Sequence, residues 1–382
     1  MLRFLTAGES HGPGLTTIIE GLPAGLAVDP DAIGAELARR RLGFGRGPRM
    51  KLERDELEIL GGVRFGRTLG GPVSVLIRNT EWDKWSTEMS PLPGASHRPA
   101  TAPRPGHADL AGMQKYDTHD ARDILERASA RETAARTVAG AMAKGLLAAV
   151  DVGVLSHVVA IGLAVAPDGP PPVLSDLPAI DASPVRAFAS GAAEAMIAEI
   201  EAAKADRDTL GGVVEVVAHG VMPGLGSHVH YDRRLDARLA GALMSIQAIK
   251  AVEIGDGLAS AGRRGSEAHD EIRFDGDFIR DTNRAGGIEG GMSMGGVIRV
   301  RAAMKPLSNL MRALQTVDVE TKEPEKAIRE RSDVCAVPAA GVVAEQMVAI
   351  VLAQELQRKF GGDTVGDLVA AVDLYRQRLA RF

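Results

Sequence analysis

The sequence contains very little cysteine and few aromatic residues, and each shortage excludes a class of protein. Cys335 is the single cysteine among 382 residues, so no disulfide can form within the chain, which fits a reducing compartment. Aromatic residues make up 3% of the chain, so few side chains could stack on nucleic-acid bases. No uninterrupted apolar run approaches the roughly 18 residues that span a bilayer, and the first residues lack the pattern of a signal peptide. We therefore expect a cytoplasmic protein without a membrane span.

Common cofactor and metal motifs are also missing from the sequence. It has no P-loop ending in Gly-Lys-Ser/Thr and no HExxH zinc motif. Gly43, Gly45 and Gly47 lack the spacing of a dinucleotide-binding turn, and they follow a predicted helix instead of a strand. His228 and His230 would lie on one face of a strand, but no cysteine or third histidine is close by. We therefore predict no metal site.

The chain is rich in glycine and in aliphatic residues. Its 44 glycines provide many positions for tight turns and for close approach of the backbone to a ligand. Hydrophobic residues make up 45% and charged residues 25%, which are proportions of a globular protein. The net charge of −5 means that the protein as a whole does not attract polyanions. Because no break in composition divides the chain, we expect a single domain over residues 1–382.

Periodicity and turn residues predict a mixture of helices and strands. Residues 30–42 are predicted to form a helix with Asp29 as its N-cap and Pro30 in its first turn. A stretch rich in Ala, Arg and Glu, without proline, predicts one long helix over 121–149. Further helices are predicted over 184–204, 231–250, 338–359 and 364–381. Strands are predicted over 3–7, 15–20, 56–60, 72–78, 213–218, 271–274 and 296–304.

Glycine pairs precede three of the predicted strands. They are Gly70-Gly71, Gly211-Gly212 and Gly295-Gly296. The recurrence hints at a duplicated sheet-and-helix unit, although glycine pairs that simply end turns before strands explain it equally well. The elements predict an α+β fold. We expect a β-α-β sandwich-type layered fold with antiparallel sheets, helices and an internal duplication.

Arginines are concentrated in three segments of the chain. Residues 39–54 carry seven basic side chains and one acidic one. On the predicted long helix, Arg127 and Arg131 are one turn apart and would share a face, and Arg329 and Arg331 form the third group. Guanidinium groups suit carboxylate and phosphate oxygens. Their convergence on one pocket would therefore bind a small substrate with several negative charges.

Two alternatives compete with that interpretation of the arginines. A single helix arginine more often pairs with a neighbour such as Glu126 or Glu132 on a solvated surface. A nucleic-acid-binding surface is the other alternative, and the acidic net charge and the scarcity of aromatic residues disfavour it. The alternatives are weaker for the segment 39–54, because its cations repel one another unless an anion is bound.

Two histidines lie in turns that are rich in glycine and proline. His11 is part of the stretch GESHGPG, and His107 is part of RPGHAD. Neither lies on an apolar face, which argues against a role in the core, while an exposed histidine without function stays an alternative for each. Histidine titrates near neutral pH and can protonate a departing oxyanion. Beside several arginines, both would fit a reaction that expels phosphate.

Eight motifs follow one another along the chain. They are GESHGPG, RRRLGFGRGPRM, RPGHADLAG, ERASARETAARTVAGA, GSEAHDEI, GIEGGMSMGG, AAMKP and RSDVCAVPAAGVVAE. In this order they resemble the chorismate synthase family, and the resemblance covers essentially the whole chain. Eight long motifs in one order are far more specific than a single glycine-rich stretch.

The resemblance implies a reaction, a cofactor and an assembly. The family converts 5-enolpyruvylshikimate 3-phosphate to chorismate and phosphate by an anti-1,4-elimination in the shikimate pathway to aromatic amino acids. The reaction uses reduced FMN without net redox change, and NADPH reduces the flavin in some members. No added reductase domain is visible, so we expect external reduction here. The resemblance also implies a homotetramer that acts on a small molecule and binds neither nucleic acid nor membrane.

The resemblance also implies roles for particular residues. Catalytic roles fall to His107 as the proton donor to phosphate, His11 beside the flavin, and Asp363 near flavin N5, with Ser10 and Ser129 in a proton relay. Substrate binding falls to Arg40, Arg46, Arg49, Arg131 and Arg331, of which Arg40 and Arg46 also match NADPH positions. FMN binding falls to Arg127, Ala128, Ser129, Gln247, Ala248, Gly290, Lys305, Pro306, Leu307, Ser308, Asn309 and Arg331.

Several of these positions have a simpler structural explanation or depart from the family. Asp363 could be only the N-cap of the last helix, Gly290 a turn glycine and Gln247 a helix surface residue. Met294 stands where the family commonly has Asn, and Asn309 where it commonly has Thr. These departures bear on the contacts to FMN and leave the reaction itself unchanged.

Two other functions stay open at this point. One is a flavin-dependent enzyme that acts on a different phosphorylated carboxylate, which a substrate screen with reduced FMN would reveal. The other is an RNA- or nucleotide-binding protein without catalysis, for which salt-dependent RNA binding would be the signature.

Overall fold

The computed structural model describes residues 1–47, 55–330 and 333–382. Within them, one antiparallel sheet has the strand order β1-β2-β6-β3. Its strands are β1 (Arg3–Ala7), β2 (Gly14–Glu20), β3 (Leu57–Gly61) and β6 (Val73–Arg78). Apolar side chains alternate along β6, where every second residue from Val73 to Ile77 is fully buried. This alternation is typical of a sheet with one face on the core.

A second antiparallel sheet has the strand order β10-β15-β9-β7-β8. Its strands are β7 (Gly153–Ile161), β8 (Ala164–Val165), β9 (Gly212–His219), β10 (Ile249–Ile254) and β15 (Ile298–Met304). Strands β7 and β9 are buried on both faces over most of their length. The remaining strands pair as short ribbons: β4 (Val63–Arg64) with β5 (Arg67–Thr68), β11 (Ile272–Phe274) with β12 (Phe278–Arg280), β13 (Ile288–Glu289) with β14 (Met292–Ser293), and β16 (Gln315–Val317) with β17 (Pro324–Lys326).

Two long helices, at Thr133–Ala148 and Val337–Phe360, dominate the α-helical part of the fold. The helices are α1 (Pro30–Arg41), α2 (Trp82–Trp85), α3 (Asp109–Tyr116), α4 (Arg122–Ala128), α5 (Thr133–Ala148), α6 (Leu177–Ala182), α7 (Ala192–Ala205), α8 (Leu235–Met244), α9 (Leu258–Ala261), α10 (Gly265–Ala268), α11 (Val337–Phe360) and α12 (Val365–Leu379). Single 3₁₀ turns cover Ala130–Glu132, Leu174–Asp176 and Tyr231–Arg233.

Helices α5 and α11 connect the two sheets through the core. Helix α5 contacts β2 in the four-stranded sheet and β7 in the five-stranded sheet, and α11 packs against α5, β7 and β9. A glycine allows the two helices to approach closely, since a Cβ atom at Gly140 would lie 2.3 Å from Cβ of Gln346. Helix–helix contact at this point therefore depends on the missing side chain.

Helix α11 is long and apolar enough, by length and composition, to cross a membrane. However, 94% of its most apolar 18-residue window is buried inside the protein, where it contacts α5 and the five-stranded sheet. A helix that is apolar all round and covered by other elements belongs to the core of the fold.

Helix α1 begins at Pro30 with Asp29 as its N-cap, as predicted, and ends at Arg41, one residue before the predicted end. Asp29 Oδ1 accepts a hydrogen bond of 2.9 Å from the backbone N–H of Asp31, as an N-cap does. The last turn is fixed by Arg39, whose guanidinium donates to the fully buried Glu345 at 2.7 Å. Burial would raise the pKa of Glu345, but the charges of Lys144 and Arg39 outweigh it and lower that pKa to about 2. This ion pair holds the end of α1 in place. Arg40, the residue after Arg39, lies in the functional site.

The long helix predicted over 121–149 is interrupted. Helix α4 ends at Ala128, Ser129 adopts an extended backbone, and a 3₁₀ turn precedes α5. The side chain of Ser129 accepts a hydrogen bond of 3.2 Å from the backbone N–H of Arg131 and so caps the new turn. The prediction that Arg127 and Arg131 share one helix face was therefore wrong.

Other elements differ from their predicted bounds. Helix α7 begins at Ala192 instead of residue 184, and the predicted helix over 231–250 ends at Met244 and is followed by strand β10. Strand β7 was not predicted, because a continuous buried apolar run shows no period of two. The N-cap of α12 is Thr364, which forms a capping box with Asp367, so the alternative role of Asp363 as the cap was wrong.

Candidate functional site

A cavity of about 690 Å³ is lined by residues from segments that lie far apart in the sequence. They come from the turn before β2, the end of α1, the junction of α4 and α5, the start of β10, the segment after β15 and the first turns of α11. Cavities of roughly 300–1,000 Å³ are typical of ligand sites. The lining includes most of the predicted site residues: His11, Arg40, Arg46, His107, Ala128, Ser129, Arg131, Gln247, Ala248, Lys305, Pro306, Leu307, Ser308 and Asn309.

His11 is held at the cavity wall by a buried carboxylate. Its backbone N–H donates to Glu126 Oε2 at 2.9 Å, and its Nδ1 lies 2.9 Å from Glu126 Oε1. The ring stacks on the indole of Trp85, with 4.2 Å between the ring centres. Asn79 fixes the turn itself, because its amide donates to the carbonyl oxygens of Glu9 and Gly12. The imidazole therefore has one nitrogen engaged and a defined orientation.

Glu126 is buried and ionised beside His11. Burial would raise its pKa, but the hydrogen bonds and charge of His11 and the charge of Arg122 outweigh burial, so the pKa lies below its usual range. Arg122 Nη1 donates to Glu126 Oε1 at 2.7 Å, and its guanidinium also lies 4.8 Å from the ring centre of Trp85. The carboxylate thus faces a cation on one side and the imidazole on the other.

His107 has a matching arrangement in a different segment. Its Nδ1 contacts the carboxylate of Asp109, which is completely buried at the start of α3. Arg104 donates to the same carboxylate through Nε at 2.8 Å and Nη2 at 3.1 Å. Burial would raise the pKa of Asp109, but hydrogen bonds from His107 and Arg104 hold it well below its usual range. Both candidate catalytic histidines are therefore oriented by an ionised buried carboxylate that is itself paired with an arginine.

Arginines gather along another part of the cavity wall. Arg40 and Arg131 are both almost fully buried and line the cavity together with Arg46. Arg46 Nη1 lies 3.1 Å from Asp333 Oδ2, and Asp333 also accepts a hydrogen bond from the backbone N–H of Gly47. Arg49 and Arg331, which were predicted to bind substrate, lie outside the described residues. Arg40, Arg46 and Arg131, from two of the three arginine-rich segments, therefore line one cavity.

Other residues of the lining offer an acceptor, a cation and apolar side chains that suit a flavin mononucleotide. Gln247 Oε1 is a buried acceptor without a hydrogen-bond partner among the described residues, and a flavin ring carries an N–H donor. Lys305 provides a cation at the cavity, where its Nζ contacts the carbonyl oxygen of Gly106. Apolar side chains complete the wall: Leu125, Met244, Ile246, Ile249, Met304, Ala336, Ala339, Ala340 and Val343. These residues fit a flat apolar ring with a polar edge and a phosphate.

Two serines meet at the edge of the cavity. Ser129 Oγ donates to Ser10 Oγ at 3.3 Å. Because Ser129 interrupts the predicted long helix, its side chain faces the turn that carries His11 instead of the next helical turn. The departure at Asn309 is also accounted for: its amide exchanges hydrogen bonds with the backbone of Glu330 and so joins two segments of the lining.

Of the predicted residues that the structure describes, three do not line the cavity. Arg127 turns away from it and donates to the carbonyl oxygens of Thr6 at 2.8 Å and Gly8 at 3.1 Å. Gly290 lies in the turn between β13 and β14 with φ 57°, which fits the alternative that it is a turn glycine. Asp363 is exposed, and its carbonyl oxygen accepts a hydrogen bond from Ala24.

Several residues that orient the site were not predicted from the sequence. Glu126 was considered only as a surface partner of arginine, and Asp109, Trp85 and Asp55 were not considered. A signal was available for Asp109, since it follows His107 by two residues within one turn. No local signal could have linked Glu126 to His11, because 114 residues separate them in the sequence.

Comparison with known proteins agrees with the motifs. The family model described as chorismate synthase matches residues 2–357. The chorismate synthase of Acidothermus cellulolyticus is 63% identical over 375 residues, with 96% of each chain covered, and that of Rhodococcus opacus is 60% identical over 390 residues, with 100% of this chain and 99% of the relative covered. A crystal structure of a chorismate synthase is 41% identical, has a TM-score of 0.81 and covers 100% of this chain and 99% of its own. The chain therefore belongs to the chorismate synthase family.

Proposed function

We propose that the 690 Å³ cavity is where this chain carries out the reaction of its family. That reaction is the anti-1,4-elimination of phosphate from 5-enolpyruvylshikimate 3-phosphate to give chorismate, in the shikimate pathway to aromatic amino acids. One observation carries the proposal: His11 and His107, each bonded to a buried carboxylate, line the same cavity as Arg40, Arg46 and Arg131. Family membership removes the two alternative functions, since neither a different substrate nor RNA binding is needed to explain these residues.

The arginines are proposed to bind the charged groups of the substrate. The substrate carries two carboxylates and a phosphate, and guanidinium groups pair with both kinds of oxygen in a planar, bidentate manner. Arg40 and Arg131 are buried and Arg46 is partly buried at the cavity, where the low local dielectric strengthens such pairs. Arg49 and Arg331 are proposed to join them on the strength of the motif resemblance alone.

His107 is proposed to protonate the phosphate as it leaves. Asp109 engages its Nδ1, and Arg104 holds Asp109 in place, so the other ring nitrogen is the one available to a ligand. A protonated imidazole held in this orientation can deliver its proton to the departing oxygen. The breaking C–O bond leaves its electron pair on phosphate, and the proton from His107 reduces the charge that develops there.

Reduced FMN is proposed to bind against the apolar wall of the cavity. When bound, it would supply electron density as the C–O bond breaks and would take up the ring hydrogen that the elimination removes. Ala128, Ser129, Gln247, Ala248 and the segment 305–309 would hold it, with the unpartnered Gln247 Oε1 as an acceptor for a ring N–H. His11 would support negative charge on the ring, and the bonded pair of Ser10 and Ser129 would pass a proton at its edge.

NADPH is proposed only as a secondary ligand at Arg40 and Arg46, and external reduction of the flavin is the expected mode. Asp363, Gly290 and Arg127 do not line this cavity, so their proposed roles rest on the motif resemblance alone. Carboxylates that do line it are Glu81, Glu330 and Asp333. If the relay needs an acidic side chain near the flavin, we propose that it is one of these three.

The same proposal extends to the domain, the assembly and the compartment. We propose a single domain over 1–382, in which α5 and α11 form the middle layer of a β-α-β sandwich derived from a duplicated unit, with a glycine pair before an interior strand of each sheet as support. A cytoplasmic homotetramer is proposed as well. Apolar residues on the outer face of the four-stranded sheet support association, because Leu5 and Ile18 are exposed as direct cross-strand partners. Light scattering after size-exclusion chromatography tests the assembly.

Chorismate absorbance provides the test of the reaction. Purified protein is mixed without oxygen with 5-enolpyruvylshikimate 3-phosphate and dithionite-reduced FMN, and chorismate formation is expected. Oxidised FMN is the matched control and should give no product. A second reaction contains oxidised FMN with NADPH as the only reductant and is expected to give no product. Product there would overturn external reduction. Failure to form chorismate with reduced FMN would overturn the proposed function.

A further inference from the structure

Asp55 is a buried carboxylate that contacts three arginines. Its side chain is 1% exposed. One oxygen, Oδ1, pairs with Arg131 Nη1. The other, Oδ2, lies 3.5 Å from Arg40 Nη2 and 3.7 Å from Arg41 Nε. The carboxylate therefore lies between guanidinium groups that come from α1 and from the 3₁₀ turn before α5.

Two of these arginines, Arg40 and Arg131, line the cavity. Buried cations near each other repel strongly in a medium of low dielectric. Burial would raise the pKa of Asp55, but the charges of Arg40 and Arg131 outweigh burial and keep that pKa below its usual range. Asp55 is therefore ionised at neutral pH, and its charge offsets part of the repulsion between the two guanidinium groups.

The contacts continue from Asp55 to the turn that carries His11. Arg131 Nε donates to Asn79 Oδ1 at 3.1 Å. The amide of Asn79 in turn donates to the carbonyl oxygens of Glu9 and Gly12, at 3.0 and 2.8 Å, on either side of His11. Arg131 is therefore held from two sides, by a charge at one end and by a fixed amide at the other.

The backbone at Asp55 also indicates a constrained position. Its φ is 50°, in the left-handed region, which Asp and Asn adopt more readily than other residues with a side chain. An asparagine at this position would thus keep the backbone and the size of the side chain while removing the negative charge.

We propose that Asp55 is a positioning residue that holds Arg40 and Arg131 together as one anion-binding pair for the substrate. The inference rests on the proposed function of the cavity. It assigns to Asp55 the role of keeping two positively charged side chains close together. Asp55 does not line the cavity itself, so it acts through the two arginines. Substrate affinity should therefore depend on Asp55 much more than the affinity for flavin does.

The test compares Asp55→Asn with the wild-type protein in the anaerobic assay with reduced FMN. We expect the KM for 5-enolpyruvylshikimate 3-phosphate to rise about tenfold or more, with the concentration of FMN for half-maximal rate unchanged. Asp55→Glu, which keeps the charge but displaces it by one methylene, should also raise KM. An unchanged KM in Asp55→Asn would overturn the proposal. A lower KM would overturn it as well, because it would mean that the Asp55 carboxylate only weakens the binding of the anionic substrate.

Glu355→Gln is the matched control. Glu355 is fully buried and paired with Arg238 and Arg358, none of which lines the cavity. The Glu355→Gln variant should lose stability as Asp55→Asn does but keep the wild-type KM, and a raised KM here would show that the effect is general unfolding.

Calorimetry with inorganic phosphate adds a readout that needs no turnover. The wild-type protein should bind phosphate, and Asp55→Asn should bind it about tenfold more weakly. If wild type binds phosphate but forms no chorismate, the proposed function fails while the anion pair stands; equal phosphate affinity in Asp55→Asn overturns the pair.

Discussion

The Nδ1 atom of His11 lies 2.9 Å from a carboxylate oxygen of Glu126, a residue that is 2% exposed. A hydrogen bond of this kind to an ionised carboxylate requires the proton on Nδ1, which fixes the ring tautomer of a neutral imidazole. The same relationship recurs between His107 and Asp109. Because one ring nitrogen of each histidine is engaged by a carboxylate, its chemistry at the cavity falls to the other nitrogen.

His11→Ala is expected to fold and to bind FMN but to lose most of its turnover. Removal of the imidazole leaves the wall of the cavity in place, while the group that supports charge beside the flavin is gone. General acid–base groups contribute about 10²–10⁴-fold, and a loss in that range is expected in the anaerobic chorismate assay. FMN affinity, measured by fluorescence titration, is the control. A wild-type rate would remove His11 from the mechanism.

Glu126→Gln tests whether the carboxylate, and not only a hydrogen-bond acceptor, is needed behind His11. The amide keeps an oxygen near Nδ1 but withdraws the charge that faces His11 and Arg122. We expect turnover to fall at least tenfold while Glu355→Gln, the buried carboxylate away from the cavity, retains the wild-type rate. Equal activity of the two variants at neutral pH would contradict an orienting role for Glu126.

His107→Ala is expected to slow the loss of phosphate. A general acid must be protonated to act, so the wild-type profile of kcat against pH should contain a limb on which the rate falls as pH rises. This limb should disappear in His107→Ala, together with about 10²-fold or more of the rate. Stopped-flow measurement of phosphate release is the direct readout. Persistence of the limb in the variant would assign the proton donor to another group.

Acid is expected to destabilise the protein partly through Glu215. Burial would raise the pKa of this carboxyl, but a hydrogen bond from His157 and the charges of Arg299 and Arg301 lower it from 4.5 to about 2. A carboxyl whose pKa is lower in the folded state stabilises the fold above its unfolded pKa, and this contribution disappears as pH falls from about 4.5 to about 2. It amounts to about 3 kcal/mol at most.

Urea denaturation at pH 5, 4 and 3 measures this contribution. The free energy of unfolding should fall less steeply with decreasing pH in Glu215→Gln than in the wild-type protein. Glu58→Gln is the control, because Glu58 pairs with Arg78 on the surface, where ion pairs contribute little. Parallel curves for wild type and Glu215→Gln would contradict the prediction.

Gly140 and Gly145 lie on the same helix and should respond oppositely to alanine. A Cβ atom at Gly140 would lie 2.3 Å from Cβ and 2.8 Å from Cα of Gln346, so Gly140→Ala should destabilise the protein by about 1–3 kcal/mol. At Gly145 the nearest neighbour atom is 3.9 Å away, so Gly145→Ala should stabilise by up to about 1 kcal/mol. Thermal melting of both variants checks this, and equal effects would contradict the packing of α5 on α11.

Much of the secondary structure could be predicted because its causes are local. Helix α1 has its N-cap, its proline and its terminal glycine within a few residues, and helix α11 is a long apolar segment with proline only in its first turn. The interruption at Ser129 could not be predicted, since every residue around it is compatible with a helix. Strand β7 could not either, because its burial on both faces comes from neighbours that are distant in sequence.

The amino-acid sequence by itself determined the family, the reaction class and which kinds of side chain the site would need. Motifs and residue types are local properties of the sequence and do not depend on how the chain folds. Only the tertiary structure decided which of those side chains meet. It joined Glu126 to His11 and Asp55 to Arg131, and it turned Arg127 away from the cavity. The physical reason is that burial, charge pairing and ring orientation depend on distances between segments, and these distances exist only once the sheets and helices have packed together.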